Sequence, residues 1–184
     1  MESIAVRKDC RMKSEADREQ FESIYYQYYR NVHNYICFRI NNHFDAEELS
    51  SLVFVKAMSR WSSYNSDFPV EAWLIGIAKN TVTDYLRGKK GKYFVALDTI
   101  IDMVSSAKQP EDIVLIKEEN RALMVAMAKL KSKERQILSM KFATDLKYHE
   151  IAKMLGIGDS NAKMTAHRAL KKLRKFMEEN AHER

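Results

Sequence analysis

The sequence predicts an all-α protein: two small helical domains joined by a flexible linker, the C-terminal one containing a helix-turn-helix. Three observations predict it. Gly and Pro number only five and two in 184 residues, too few for the turns of a sandwich or barrel. Apolar residues recur at three- and four-residue intervals through two long stretches, the period of a helix buried on one face. Between those stretches, from about Tyr93 to Gln109, no period is sustained, and the segment closes at Pro110. The expected domains are therefore residues 1–92 and 113–184, with 93–112 as the linker.

The first element spans about Ala16 to Ile40. Phe21, Ile24, Tyr25, Tyr28, Val32, Tyr35, Ile36 and Ile40 form the apolar stripe of one amphipathic helix or a helix pair. Tyr26 and Tyr29 fall beside it and are read as packing groups whose phenols reach water. Asn41, Asn42 and His43 break the pattern. Asp45 is then placed to cap a second helix, with Glu47 and Glu48 favourable against its N-terminal dipole. That helix is expected to run to about Trp61. Its apolar set, Leu49, Leu52, Val53, Phe54 and Ala57, is wider than one face requires, so part of it is expected to stay exposed for a partner. Ser62 to Pro69 is a loop by composition. Val70 to Arg87 resumes a helix with Trp73, Leu74, Ile77, Ala78, Val82, Tyr85 and Leu86 inward, ending at Gly88 and Gly91 within a lysine cluster.

Pro110, Glu111 and Asp112 read as the start of the second block. Helices are expected over Val114 to Lys129 and Lys133 to Lys141. Next, Ile151, Ala152 and Leu155 recur at helical spacing, and Gly156 stands where a chain leaving a helix needs the left-handed conformation. Ala162, Ala166, Ala169 and Leu173 give the following helix a narrow apolar stripe, whose small side chains let two helices approach closely. Ser160, Asn161, Lys163, Met164, His167, Arg168 and Lys171 are left on its other sides. Lys and Arg neutralise phosphates, while Asn, Arg and His hydrogen-bond base edges in a major groove. Six Lys or Arg and no acid lie between Lys163 and Met177, so the pattern is that of a reader of duplex DNA.

The formal charge is +6, and its excess falls in two places. One is that terminal helix; the other is Lys79, Arg87, Lys89, Lys90 and Lys92, with Asp84 the only acid among them. Cys10 and Cys37 have no partner motif and the five His residues are scattered, which argues against a disulfide framework, a zinc site or any other metal or cofactor. No Ser-His-Asp order or Gly-rich phosphate loop points to an enzyme. No run of eighteen apolar residues or signal-peptide core occurs, so a cytoplasmic protein without membrane insertion is expected.

From about Phe21 to Met177 the chain resembles the extracytoplasmic-function (ECF) group of bacterial sigma-70-type sigma factors. Three stretches carry the likeness in order: Asp45-Ala-Glu-Glu-Leu-Ser-Ser-Leu-Val-Phe-Val-Lys-Ala, Ala72-Trp-Leu-Ile-Gly-Ile-Ala-Lys-Asn-Thr-Val-Thr-Asp-Tyr-Leu-Arg, and Leu130 with Lys133-Glu-Arg-Gln-Ile-Leu leading into the helix-turn-helix. The resemblance implies a non-catalytic subunit that binds core RNA polymerase at the β′ clamp and β flap, recognises promoter DNA and opens it. It assigns Asp45, Glu48, Leu49, Leu52 and Phe54 to docking. Tyr64, Asn65 and Phe68 of the loop, with Lys79, Asn80, Thr83, Asp84 and Arg87 of the next helix, fall to the proximal (−10) element. It assigns Ser160, Asn161, Lys163, Met164, His167, Arg168 and Lys171 to the distal (−35) element, and it implies an anti-sigma factor as a further partner. The chain departs from the family pattern at Glu48, Ser51 and Lys147, and at Met164-Thr-Ala-His, where Ser-Arg-Leu-Ser is common. The alternative is a helix-turn-helix regulator whose N-terminal block senses a ligand or dimerises.

Overall fold

The structure, a computed structural model, describes residues 15–40, 42–88 and 121–182. Lys89, Lys90, Lys92, Cys10, the expected linker at 93–112 and the helix start at Pro110 lie outside the described residues. The described residues are helical, with no strand among them. α1 is Glu15–Ile40, α2 is His43–Ser59, and α3 is Val70–Gly88, with a single 3-10 turn at Trp61–Ser63. The second block holds α4 (121–128), α5 (Ser132–Ala143), α6 (Tyr148–Leu155) and α7 (Asp159–His182).

The first stripe is one continuous helix, because nothing between Glu15 and Ile40 interrupts it: no Gly or Pro falls there, and Glu15 and Asp17 sit favourably in the first turn. α2 starts two residues before the expected cap. Asn42 is extended and its side chain accepts from the Asp45 backbone N–H at 3.3 Å, so Asn42 is the cap. Asp45 instead closes the motif from inside, its carboxylate accepting from Asn42 Nδ2 at 2.9 Å. The three helices enclose one core of Val32, Tyr35 and Ile36 from α1, Val53 and Ala57 from α2, and Leu74, Ile75 and Val82 from α3. Each such Val, Leu or Ile side chain stabilises the block by roughly 1.5–3 kcal/mol through burial.

In the second block Ala126, Met127, Leu130, Ile137 and Leu138 pack against Ala166, Ala169 and Leu173. Two helix starts lack a capping side chain, since Lys131 and Lys147 carry no acceptor. Glu134 and Glu150 compensate by accepting from the Lys131 and Lys147 backbone N–H groups at 3.1 and 2.7 Å. Lys172 of α7 donates to the Glu134 carboxylate at 2.6 Å, tying the last helix to the start of α5 and holding that carboxyl below its usual range.

The two blocks touch, which the sequence pattern does not foresee. Met140, Ala143, Leu146 and Ile151 enter the first block's core, and α5 lies along α1. The reason is in α5 itself: Ile137, Leu138, Met140 and Ala143 are distributed around the helix, so it buries one side in each block.

Candidate nucleic-acid interface

α6 and α7 form the helix-turn-helix. Gly156 ends α6 at φ 65, ψ 37, and the N–H of Ile157 returns to the Ala152 carbonyl at 3.0 Å, a Schellman-type closure. Ala162, Ala166 and Ala169 are fully buried, so α7 lies close against its neighbours. Ser160, Asn161, Lys163, Met164, His167, Arg168 and Lys171 are all exposed on its outer side. Asn161 Oδ1 accepts from Thr165 Oγ1 at 3.2 Å, which fixes the direction of one amide at the start of the helix. A cationic helix with its small-residue face hidden and its Asn, His and Arg outward is the arrangement that enters a major groove.

The second candidate surface is on the first block. Tyr64 stacks on Trp61 with ring centroids 5.3 Å apart, lies 5.1 Å from Trp73, and donates its hydroxyl to the Phe68 carbonyl at 2.6 Å. Tyr64 therefore holds the loop from beneath rather than offering a free face, and half-buried Trp73 is part of the same support. Asn65 accepts from the Asp67 backbone N–H at 2.9 Å, and Phe68 is 46% exposed, with the Lys153 ammonium of α6 4.4 Å from its ring centroid. Beside the loop, α2 and α3 form a groove of about 370 Å³ lined by Lys56, Arg60, Asn80, Thr83, Asp84 and Arg87 among others. Asp84 pairs with Arg87 at 3.7 Å, Thr83 donates to the Lys79 carbonyl at 2.7 Å, and Asn80 is exposed. Lys56 and Arg60 are groove residues that the sequence pattern did not single out; Lys56 Nζ donates to Thr81 Oγ1 at 3.1 Å. Their signal was the i, i+4 spacing of two cations on the face of α2 turned toward α3.

The expected docking set is divided by burial. Leu49 and Phe54 are 7% and 4% exposed and belong to the core, Phe54 packing against Tyr25, so neither has area to offer a partner in this conformation. Asp45 is engaged within the block, since the Tyr85 hydroxyl also donates to its carboxylate in a short hydrogen bond. Glu48 is exposed and Leu52 partly so, and Phe44 and Val55, not foreseen, are 65% and 57% exposed on the same helix. The apolar set was wide, as expected, but its outward members are Phe44, Leu52 and Val55.

Among the described residues no group of three His, Cys, Asp or Glu is placed to hold a metal ion. Burial pushes the Cys37 thiol up to about 11, with Glu47 adding to the shift, so it is not a thiolate nucleophile at neutral pH. No helix among the described residues is long and apolar enough to cross a membrane.

An exposed cationic helix on one block, and a cation-lined groove beside an aromatic loop on the other, give an all-α protein of the DNA-binding class two candidate nucleic-acid surfaces. The model of sigma-70 region 2 matches residues 24–92 and that of sigma-70 region 4 matches residues 120–173, in that order. The chain is 28% identical over 168 residues to the ECF RNA polymerase sigma factor BldN of Streptomyces coelicolor, covering 90% of this chain and 63% of that one. It is 29% identical over 168 residues to the RNA polymerase sigma factor YlaC of Bacillus subtilis, covering 90% of this chain and 96% of that one. Its fold is similar to that of the sigma factor RpoE in complex with the anti-sigma factor NepR from Bartonella quintana, with a TM-score of 0.67 at 19% identity, covering 87% of this chain and 98% of that one. The chain belongs to the ECF group of the sigma-70 family.

Proposed function

We propose that this chain is an alternative sigma subunit: it binds core RNA polymerase, brings it to promoters that carry matching distal and proximal elements, and assists opening of the duplex. The observation that carries the reading is the pairing, in one chain, of a surface suited to duplex DNA with a surface suited to a single strand. On α7, Lys163, Arg168 and Lys171 hold phosphates while Asn161 and His167 face base edges of the distal element. On the first block, the loop around Asn65 and Phe68 takes an unstacked base of the proximal element. Lys56, Arg60, Lys79 and Arg87 steady the strand's phosphates, with Asn80 and Thr83 as hydrogen-bonding groups along its path. A ligand-sensing regulator would have no use for that second surface.

Docking on the β′ clamp uses Glu48 with Leu52, Phe44 and Val55, where an acidic and apolar face meets a basic coiled coil; the β flap meets the second block. The chain supplies no catalytic group; the polymerase makes the RNA. Its place of action is the cytoplasm, and an anti-sigma factor is the partner proposed to hold it inactive, as NepR is bound to RpoE in the similar structure.

The test is copurification with core polymerase followed by run-off transcription on genomic fragments. Initiation confined to one promoter class is the expected result; core binding without initiation from any fragment refutes the proposal.

A further inference from the structure

Hydroxyls inside the helices of this chain return to their own backbone. Ser50, Ser51, Thr83 and Ser139 each donate to the carbonyl four residues earlier, at 2.6, 3.1, 2.7 and 2.7 Å. Thr165 of α7 departs from them: at the same spacing its Oγ1 donates to the side-chain Oδ1 of Asn161, at 3.2 Å. Thr165 is half-buried, between the fully buried Ala162, Ala166 and Ala169, while Asn161 is exposed. A hydroxyl set against the body of the helix thus holds an amide that faces out.

The place of that amide gives the bond a consequence. α7 begins at Asp159, and the Ala162 N–H returns to the Gly158 carbonyl at 3.0 Å, so Asn161 lies in the first turn. The first turn of a reader helix is the part that reaches base edges. An Asn reads adenine by presenting both halves of its amide, Oδ1 to the N6 amino group and Nδ2 to N7. Here Oδ1 is turned back to Thr165, and among the described residues Nδ2 has no hydrogen-bond partner. The edge offered to the groove is therefore a pair of N–H donors. Guanine answers it with two adjacent acceptors, N7 and O6, and thymine with O4 alone. Adenine and cytosine set an amino group against it, donor facing donor.

We propose that Thr165 is a positioning residue that sets promoter specificity: by holding Asn161 Oδ1 it turns the Nδ2 donors to the major groove, so that α7 reads guanine at one position of the distal element. The inference rests on the assignment of α7 to that element made above. Thr165 acts only through Asn161. Loss of its hydroxyl frees the amide to rotate and present oxygen and nitrogen together, the arrangement adenine accepts. The base preference then changes, while the affinity held by phosphate contacts does not.

The test uses the full chain assembled with core polymerase, and the probe is a library of short randomised duplexes. Selection with the parent and with Asn161→Ala identifies the position whose preference Asn161 supplies. Duplexes carrying each of the four bases there are then titrated against the parent, Thr165→Val and Thr165→Ser. Val keeps the β-branched shape without a donor, and Ser keeps the hydroxyl. The expected result is that the parent binds the guanine duplex most tightly, and that Thr165→Val lowers the guanine-to-adenine ratio by about fivefold, the net worth of one hydrogen bond, while Thr165→Ser keeps it. Any base other than guanine ranked first by the parent overturns the inference. So does a ratio unchanged in Thr165→Val, an equal loss on all four duplexes, or a fall in Thr165→Ser that matches Thr165→Val. If Asn161→Ala leaves every preference in place while Arg168→Ala erases one, the inference fails and α7 remains the reader. A library that enriches no motif, or one indifferent to both Asn161→Ala and Arg168→Ala, overturns the assignment of α7 and the inference with it.

Discussion

Glu71 accepts a 2.6 Å hydrogen bond from Asn31 across the α1–α3 contact, yet its carboxyl sits above the ordinary value of 4.5. Burial is the largest cause, and the bonds from Asn31 and Asp145 only partly offset it. The folded chain therefore keeps this proton to higher pH than the unfolded chain does. This group's contribution is greatest below 4.5 and declines as pH rises from 4.5 through the raised folded value. Glu71→Gln removes the titration while keeping an acceptor. Denaturant melts across mildly acidic to neutral pH should show the variant gaining on the parent as pH rises, then holding a constant margin.

Gly156 carries the turn between the two reader helices at φ 65, and a Cβ built there meets nothing within 4 Å. The cost of Gly156→Ala is thus backbone strain alone, about 1–2 kcal/mol, and Gly156→Asn should cost less. Thermal melts of the three chains should rank Gly, Asn, Ala in falling order.

Phe54 and Val55 are adjacent on α2, but Phe54 is buried in the core and Val55 is exposed. Phe54→Ala opens a hole in the core and should destabilise the chain by roughly 3–5 kcal/mol. Val55→Asp should leave the melting temperature nearly unchanged and weaken retention on core polymerase. Circular dichroism and a core pull-down on both variants separate the two effects.

Replacing Lys163, Arg168 and Lys171 by Ala should weaken binding to distal-element duplex and flatten its salt dependence, by about 0.9 in the log–log slope for each phosphate no longer neutralised. Affinity titrations from low to moderate salt read this directly. An unchanged slope would place the duplex elsewhere on the protein.

Much of the fold was legible because it is written in short-range patterns. The alanine spacing of α7 and the glycine at its entrance need only a helical period and a backbone requirement to be read, and the structure buries Ala162, Ala166 and Ala169 as that period demands. Packing between elements was less legible. Leu49 and Phe54 carry the same hydropathy as Leu52 and Val55, and only the rotation of α2 against α1 and α3 decides which of them is hidden. Asn42 and Asp45 are both good caps, so the start of α2 turned on three residues of register. Lys56 and Arg60 gain meaning only once α3 lies beside them, and Met140 and Ile151 look like ordinary residues of their own block until the first block covers them.

The most direct test of the central claim is permanganate footprinting of a promoter that this chain selects, with core polymerase present. The account predicts reactive, unpaired thymines in the proximal element with chain and core together, and none with core alone. Asn80→Ala should lose that reactivity while the distal element stays protected. Protection of the distal element by the chain without polymerase, with no reactive thymine when core is added, would contradict it.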